Sequence, residues 1–252
     1  MLSLERNGAV AVLTLSRAPA NAFNDELTAR MSEVIDQAAG DENVTVLHIR
    51  SSLKIFCAGA DLALMRSCFA TEQGVERMVE VIRDMQRLLD KIEAAPFVSI
   101  AEIGGAALGG GLEMALACDI RVAASEAKVG LPEVGLGLVP GAGGTQRLTR
   151  LCGEAVAKRL ILGAEVIDGA AAERLGIVQW AHPREQLASW TAALASRIAT
   201  MPRAALAAAK SCIAAQRDSK RNGYEEEITV TRMLYNHPES RRRVTDFLNR
   251  SS

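Results

Sequence analysis

The chain reads as an α/β protein, and three observations predict that class. Short β-branched runs alternate with amphipathic helical stretches from residue 9 to residue 124, the pattern of strands joined by crossover connections. Three consecutive glycines, Gly109, Gly110 and Gly111, run directly into an apolar helical pattern. Beyond His182 the sequence becomes Ala-rich and helical almost to its end. A boundary near residues 182–190 follows, dividing an α/β core (1–185) from a helical C-terminal region (186–252).

Leu2 to Glu5 and Ala9 to Leu15 predict two strands joined by a tight turn at Asn7-Gly8, a strong short hairpin signal. Arg17 to Phe23 is a loop. Asn24 or Asp25 caps a helix with Leu27, Met31, Val34, Ile35 and Ala38 on one face, and Gly40 stops it. Val44 to Arg50 is a strand. The loop from Ser51 ends at Asp61, a further N-cap candidate. From Val75 to Glu93 a helical period runs through Val75, Met78, Val79, Ile82, Met85, Leu89 and Ile92, and Pro96 closes it. Phe97 to Ile103 is an apolar strand, the glycine-led helix follows, and Ile120 to Ala124 is one more short strand. In the C-terminal region Leu187, Leu194 and Ile198 share a helix and Pro202 opens another. Ile228, Thr231 and Leu234 mark a later one. These helices carry few bulky apolar residues for their length and need a surface to lie on.

Composition narrows the function. At 252 residues, with 49% apolar and 23% charged residues, the chain has ordinary globular values. The net charge is −1 with Lys and Arg spread, which argues against nucleic acid or an anionic membrane as the main partner. The N-terminus lacks the basic start and apolar core of a signal peptide, and no apolar run reaches the ~18 residues of a membrane span. Five scattered cysteines (57, 68, 118, 152 and 212), without a Cys-x-x-Cys, point to reduced thiols and a cytoplasmic protein.

The glycine clusters fail as nucleotide loops. Gly104 and Gly109 have the outer spacing of a P-loop, but Gly110 and Gly111 replace its Lys and Ser/Thr. Gly135 with Gly137, and Gly141 with Gly143, each lack the third glycine of a dinucleotide fingerprint. No Gly-x-Ser-x-Gly or His-Glu-x-x-His occurs and His48, His182 and His237 are isolated, so serine-hydrolase and metal chemistry are not expected. His48 reads as a packed or edge histidine.

What remains is a helix start with uncovered N–H groups, close in sequence to two carboxylates in apolar surroundings, Glu113 and Glu133. Glycines at a helix N-terminus leave amides and the helix dipole open to a developing anion. A carboxylate among Leu, Met, Ala and Val is pushed toward its neutral form. Each feature also has a plain reading. Glu113 can be a first-turn acid on the dipole, worth about 0.3–1 kcal/mol. Glu133 can be a loop carboxylate accepting backbone hydrogen bonds, and the glycines can serve close packing. Their coincidence within one short span favours a proton-transferring site.

Three stretches carry a family resemblance: Phe56 to Asp61 (FCAGAD), Gly104 to Asp119 (GGAALGGGLEMALACD), and Gly130 to Glu133 (GLPE) through Pro140 to Leu148 (PGAGGTQRL). They resemble the signature of the enoyl-CoA hydratase/isomerase (crotonase) family. The Arg17–Phe23 loop is similar to the family's substrate-side loop, and Leu162 to Gly176 resembles its later helices. The resemblance implies a spiral of repeated strand–strand–helix units with C-terminal helices that build homotrimers, commonly paired into homohexamers. It implies an acyl-CoA thioester ligand, with coenzyme A part of the substrate and no separate cofactor. The backbone N–H groups of Ala60 and Gly110 would form an oxyanion hole, with Gly109 beside it. Ala58, Asp61, Leu62 and Gly109 would contact the acyl-CoA substrate, Ala58 and Leu62 beside its adenine. Keeping both Glu113 and Glu133 favours hydration, with Glu113 on the water and Glu133 protonating the α-carbon. The alternatives are a Δ3,Δ2-enoyl-CoA isomerase using Glu133 alone and a non-catalytic acyl-CoA-binding member. One departure stands near the C-terminus: Arg242 and Arg243 precede Phe247, where the family usually has an acidic residue and glycine.

Overall fold

Hydrophobic strands of the core line up into one large sheet. The computed structural model describes residues 1–69 and 71–250. β1 (Leu2–Asn7) and β2 (Val10–Leu15) form the predicted hairpin. Asn7 pairs with Val10, so the turn is Gly8-Ala9, one residue later than expected. That register lets β2 bury both Leu13 and Leu15. α1 (Asp25–Gly40) starts at Asn24, whose side chain accepts from the Leu27 N–H, and buries the predicted apolar face. β3 (Val46–Ser51) follows, then α2 (Leu62–Cys68), capped by Asp61 through the N–H groups of Ala63 and Leu64.

α3 (Glu72–Ala94) is the longest helix described. It departs from the expected stripe: Val81, Met85, Leu88, Leu89 and Ile92 are buried, whereas Val75 and Val79 are exposed. The helix meets the core only in its second half. β4 (Val98–Ile103) is buried along its whole length, as a strand covered on both faces should be. β5 (Ala107–Leu108), α4 (Gly110–Ala117), β6 (Ile120–Ala124) and β7 (Lys128–Gly130) come next. A 3-10 turn occupies Glu133–Leu136. α5 (Gly144–Leu162), β8 (Val166–Asp168), α6 (Gly169–Arg174) and β9 (Trp180–His182) complete the core.

The large sheet has the order β1-β2-β3-β4-β6-β9, antiparallel at its first pair and parallel from β2 onward. A small sheet, β5-β7-β8, sits beside it. Between β3 and β4 the buried His48 meets Glu102 at 3.0 Å, so His48 is a packed histidine with a partner.

α7 (Arg184–Ala199) lies on the large sheet and buries Leu187, Thr191, Leu194 and Ala195. α8 (Arg203–Ala215) buries only Ala208 and Ala215. α9 (Gly223–Asn236) and α10 (Pro238–Arg250) bury none of their residues and expose Ile228, Met233, Tyr235 and Val244. Among the described residues no helix is long and apolar enough to cross a membrane.

Candidate active site

α4 is buried at all eight of its positions. An all-apolar helix of this kind stays in a domain core, and the acid it carries goes in with it. Glu113, in the first turn, is 2% exposed. Its Oε1 accepts the Gly144 N–H at 2.7 Å, and the Ala142 N–H adds a second favourable interaction. Gly144 is the first residue of α5, so the carboxyl occupies the positive end of that helix. Only glycine permits this approach, since a Cβ at position 144 would lie 2.9 Å from the same oxygen.

Burial nevertheless dominates. It pushes Glu113 up to about 7, the Gly144 and Ala142 amides oppose it, and the charge of Glu133 raises it further. Glu133 opens the 3-10 turn after Pro132. Burial raises its carboxyl as well. Its Oε2 is buried and has no hydrogen-bond partner among the described residues. Its Oε1 stands 3.0 Å from where a Cβ on Gly109 would be, and Gly109 is held at φ +53° by the Gly109 N–H to Gly130 carbonyl bond. The two acids therefore share one place. Both lie against the start of α4.

The proposed oxyanion amides meet there too. Phe23 and Ala60 form a parallel bridge in which the Phe23 N–H donates to the Gly59 carbonyl and the Asp61 N–H to the Phe23 carbonyl. That pattern turns the Ala60 N–H away from the bridge. Gly110 is the first residue of α4, and its N–H has no carbonyl behind it in the helix. Neither N–H has an acceptor among the described residues. A Cβ at Gly59 would come within 3.0 Å of the Gly110 nitrogen, so the two loops touch.

Asp61 is the N-cap expected from the sequence. Its carboxylate pairs with Arg17 at 2.8 Å and caps α2, and the Arg17 guanidinium holds it below the usual carboxylate range. The side chain is thus committed to the scaffold. Ala58 and Leu62, on either side, are exposed. Two positioning side chains have no counterpart among the residues expected from sequence. Asn21, fully buried, donates to Ser51 Oγ and to the Phe56 carbonyl and accepts from the Arg17 N–H, which ties down the loop bearing Ala60. Arg147, 5% exposed, is the other. A polar residue inside each family-like stretch was the available signal.

Comparison with known proteins agrees with this geometry. The family model described as enoyl-CoA hydratase/isomerase matches residues 5–252. The chain belongs to the enoyl-CoA hydratase/isomerase family. Within it, the chain is 45% identical over 186 residues to the methylglutaconyl-CoA hydratase of mouse mitochondria, covering 72% of this chain and 56% of that protein. It thus spans little more than half the length of that relative. A probable enoyl-CoA hydratase of Bacillus subtilis is 44% identical over 70% of this chain and 67% of its own. The solved structure of an enoyl-CoA hydratase from Bacillus anthracis superposes with a TM-score of 0.92 at 30% identity, covering 99% and 96% of the two chains. The crotonase fold expected from the motifs is the fold of this chain.

Proposed function

We propose that this chain is an enoyl-CoA hydratase, adding water reversibly across the double bond of a 2-enoyl-CoA thioester. One observation carries the reading: the buried Glu113 carboxyl, raised in part by the charge of Glu133, and the half-buried Glu133 with its unpartnered Oε2 stand beside two main-chain N–H groups with no acceptor among the described residues. The thioester carbonyl oxygen sits between the N–H groups of Ala60 and Gly110. Water bonds through oxygen to the β-carbon while Glu113 takes its proton. The π electrons move to the α-carbon and thioester oxygen as an enolate, which the two amides stabilise; losing one such donor typically costs ~2.7–4 kcal/mol. Glu133 then delivers a proton to the α-carbon. The amides on Glu113 favour its ionised form, and the unpartnered Glu133 oxygen suits a protonated acid, which supports this division of roles. Addition of water needs no redox group.

Ala58 and Leu62 are assigned to the adenine end of CoA through their main chain, with Asp61 and Gly109 shaping the loops between. Residues 1–185 form the catalytic core in this reading. Residues 186–252 supply the contacts of a homotrimer or homohexamer, covering the apolar side chains of α9 and α10. A cytoplasmic setting suits the five free thiols.

The test is loss of crotonyl-CoA absorbance with the purified chain, run beside methylglutaconyl-CoA and a 3-enoyl-CoA. Hydration of either 2-enoyl thioester is expected. Isomerisation of the 3-enoyl thioester without any hydration would overturn the reading.

A further inference from the structure

The turn before α5, Pro140 to Gly143, decides whether the Gly144 N–H reaches Glu113, and two side chains hold it. Gln86, from α3, donates to the Gly141 carbonyl at 2.7 Å. Arg147, one turn into α5, donates from Nη1 to the Ala142 carbonyl at 2.8 Å. The rest of its guanidinium is fixed from α3: Nε meets Glu93 at 2.9 Å and Nη2 meets Asp90 at 2.7 Å. Glu93 is in turn gripped by Arg150 and, from the end of α8, by Arg217.

A buried arginine that only closed an ion pair would need no contact with the turn. Here turn and guanidinium are built against each other. Gly143 adopts φ +101°, and a Cβ there would stand 2.3 Å from Arg147 Nη1. The guanidinium fills the space beneath the turn, and the planar fork reaches a carbonyl and two carboxylates at once, which an ammonium cannot do. The Arg147 N–H donates to the Gly143 carbonyl at 2.8 Å, closing the first bond of α5.

We infer that Arg147 is a positioning residue for Glu113: it anchors the Ala142–Gly143 segment on α3 so that the Gly144 N–H stays aimed at the carboxylate that takes the proton from water. Arg147 touches no reacting atom, and the inference rests on the hydratase reading of Glu113. Among the described residues the turn makes no hydrogen bond to the Ala60 or Gly110 segments, so the expected effect is on the acid and not on binding of the thioester.

The experiment compares the full-length chain with Arg147→Lys, Arg147→Gln and the control Arg150→Gln, which loses a Glu93 contact but leaves the turn alone. Expected for both Arg147 variants is a fall in kcat of about tenfold or more with KM for crotonyl-CoA nearly unchanged, as for misplacement of a catalytic group. Lys, which keeps the charge, should recover only a part. Carboxyl 13C NMR of the labelled protein should show Glu113 titrating at higher pH in both variants and unchanged in Arg150→Gln; because the Arg147 charge itself lowers Glu113, the rise in Arg147→Lys, which keeps that charge, is the one that reports the turn. If Arg147→Gln fails to fold, Arg147→Lys, which retains charge and stem, decides by the same two measurements. Unaltered kcat with an unmoved Glu113 titration in a folded Arg147→Lys protein would overturn the inference, as would an equal effect from Arg150→Gln. The titration needs no turnover. A chain that does not hydrate thioesters but still shows the NMR shift refutes the activity and retains the positioning role.

Discussion

Glu113 and Glu93 are the same residue type, both largely shielded from water, and their acidities move in opposite directions. Burial drives Glu113 up to about 7, because two amides and the more weakly acting charge of Arg147 do not outweigh it and the second acid adds to it. Burial pushes on Glu93 as well, but Arg147, Arg217 and Arg150 together outweigh it and leave its carboxyl below the usual range. Depth alone therefore does not set protonation; the charge of the neighbours does. Arg147 and Arg150, in the first turns of α5, bond directly to Glu93, whereas among the described residues no guanidinium hydrogen-bonds to Glu113. The first region holds the fold together. The second is free to exchange a proton at neutral pH.

Replacing Glu113 with Gln keeps its shape and removes the base. The expected loss in kcat for crotonyl-CoA hydration is about 10³-fold, within the usual range for a general base together with its charge. Glu93→Gln should leave KM and the oxyanion amides alone and act on stability. A Glu113→Gln enzyme with more than a tenth of normal turnover would erase the functional half of the contrast.

The two acids should also tilt stability oppositely with pH. Glu113 has a folded-state pKa above its unfolded value of 4.5, so the native state binds the extra proton. Its contribution is full below about pH 4.5 and is lost as pH rises toward 7. At pH 8 a folded Glu113→Gln protein should be more stable than the wild type by up to ~3 kcal/mol, the full linkage value for such a shift. Urea titrations at pH 5 and pH 8 measure this, with a much larger gap expected at the higher pH. Equal gaps at both would place the gain outside ionisation.

Glu93, with its pKa lowered, contributes above the ordinary carboxylate range and loses that contribution as pH falls through its folded value. Glu93→Gln leaves Arg147, 5% exposed, without its principal buried partner. About 1–3 kcal/mol of stability should go, less than for a fully sealed ion pair because Asp90 remains as an exposed partner. In a chain of this size that lowers Tm by roughly 2–4 °C per kcal/mol. Calorimetry at pH 7.5 tests it; an unchanged Tm would show that the three arginines are satisfied elsewhere.

Much of the site is legible in the order of residues alone, and the reason is local. Glu113 betrays itself because no apolar helix such as LEMALA carries an acid without consequence, and Gly110 because a glycine run at a helix start bares its amides. Most strands and helices up to Ala124 are legible from periodicity, but α2 and the two-residue β5 are not. What the sequence hides is set by distant partners. β7 and β8 are three residues each and exist through pairing across 36 to 40 positions. The exposure of Val75 and Val79 depends on where α3 leaves the core. Asp61 looks like a cap and is one, but its pairing with Arg17 spans 44 positions. Arg147 and Glu93, 54 positions apart, carry no mutual mark in the sequence.

The finest distinction lies between the two active-site acids. Glu133 contributes to raising Glu113 after burial, through the repulsion of its own charge. Replacing it with Gln removes that repulsion and leaves the Gly144 hydrogen bond in place. Glu113 should then titrate below about 7, though still above an exposed carboxyl, because burial remains the larger cause. Carboxyl 13C NMR of Glu133→Gln measures the midpoint directly, without turnover. A midpoint that stays where it was would mean that the two carboxyls do not sense each other across the start of α4, and a single-acid mechanism would then account for the site as well as the paired one.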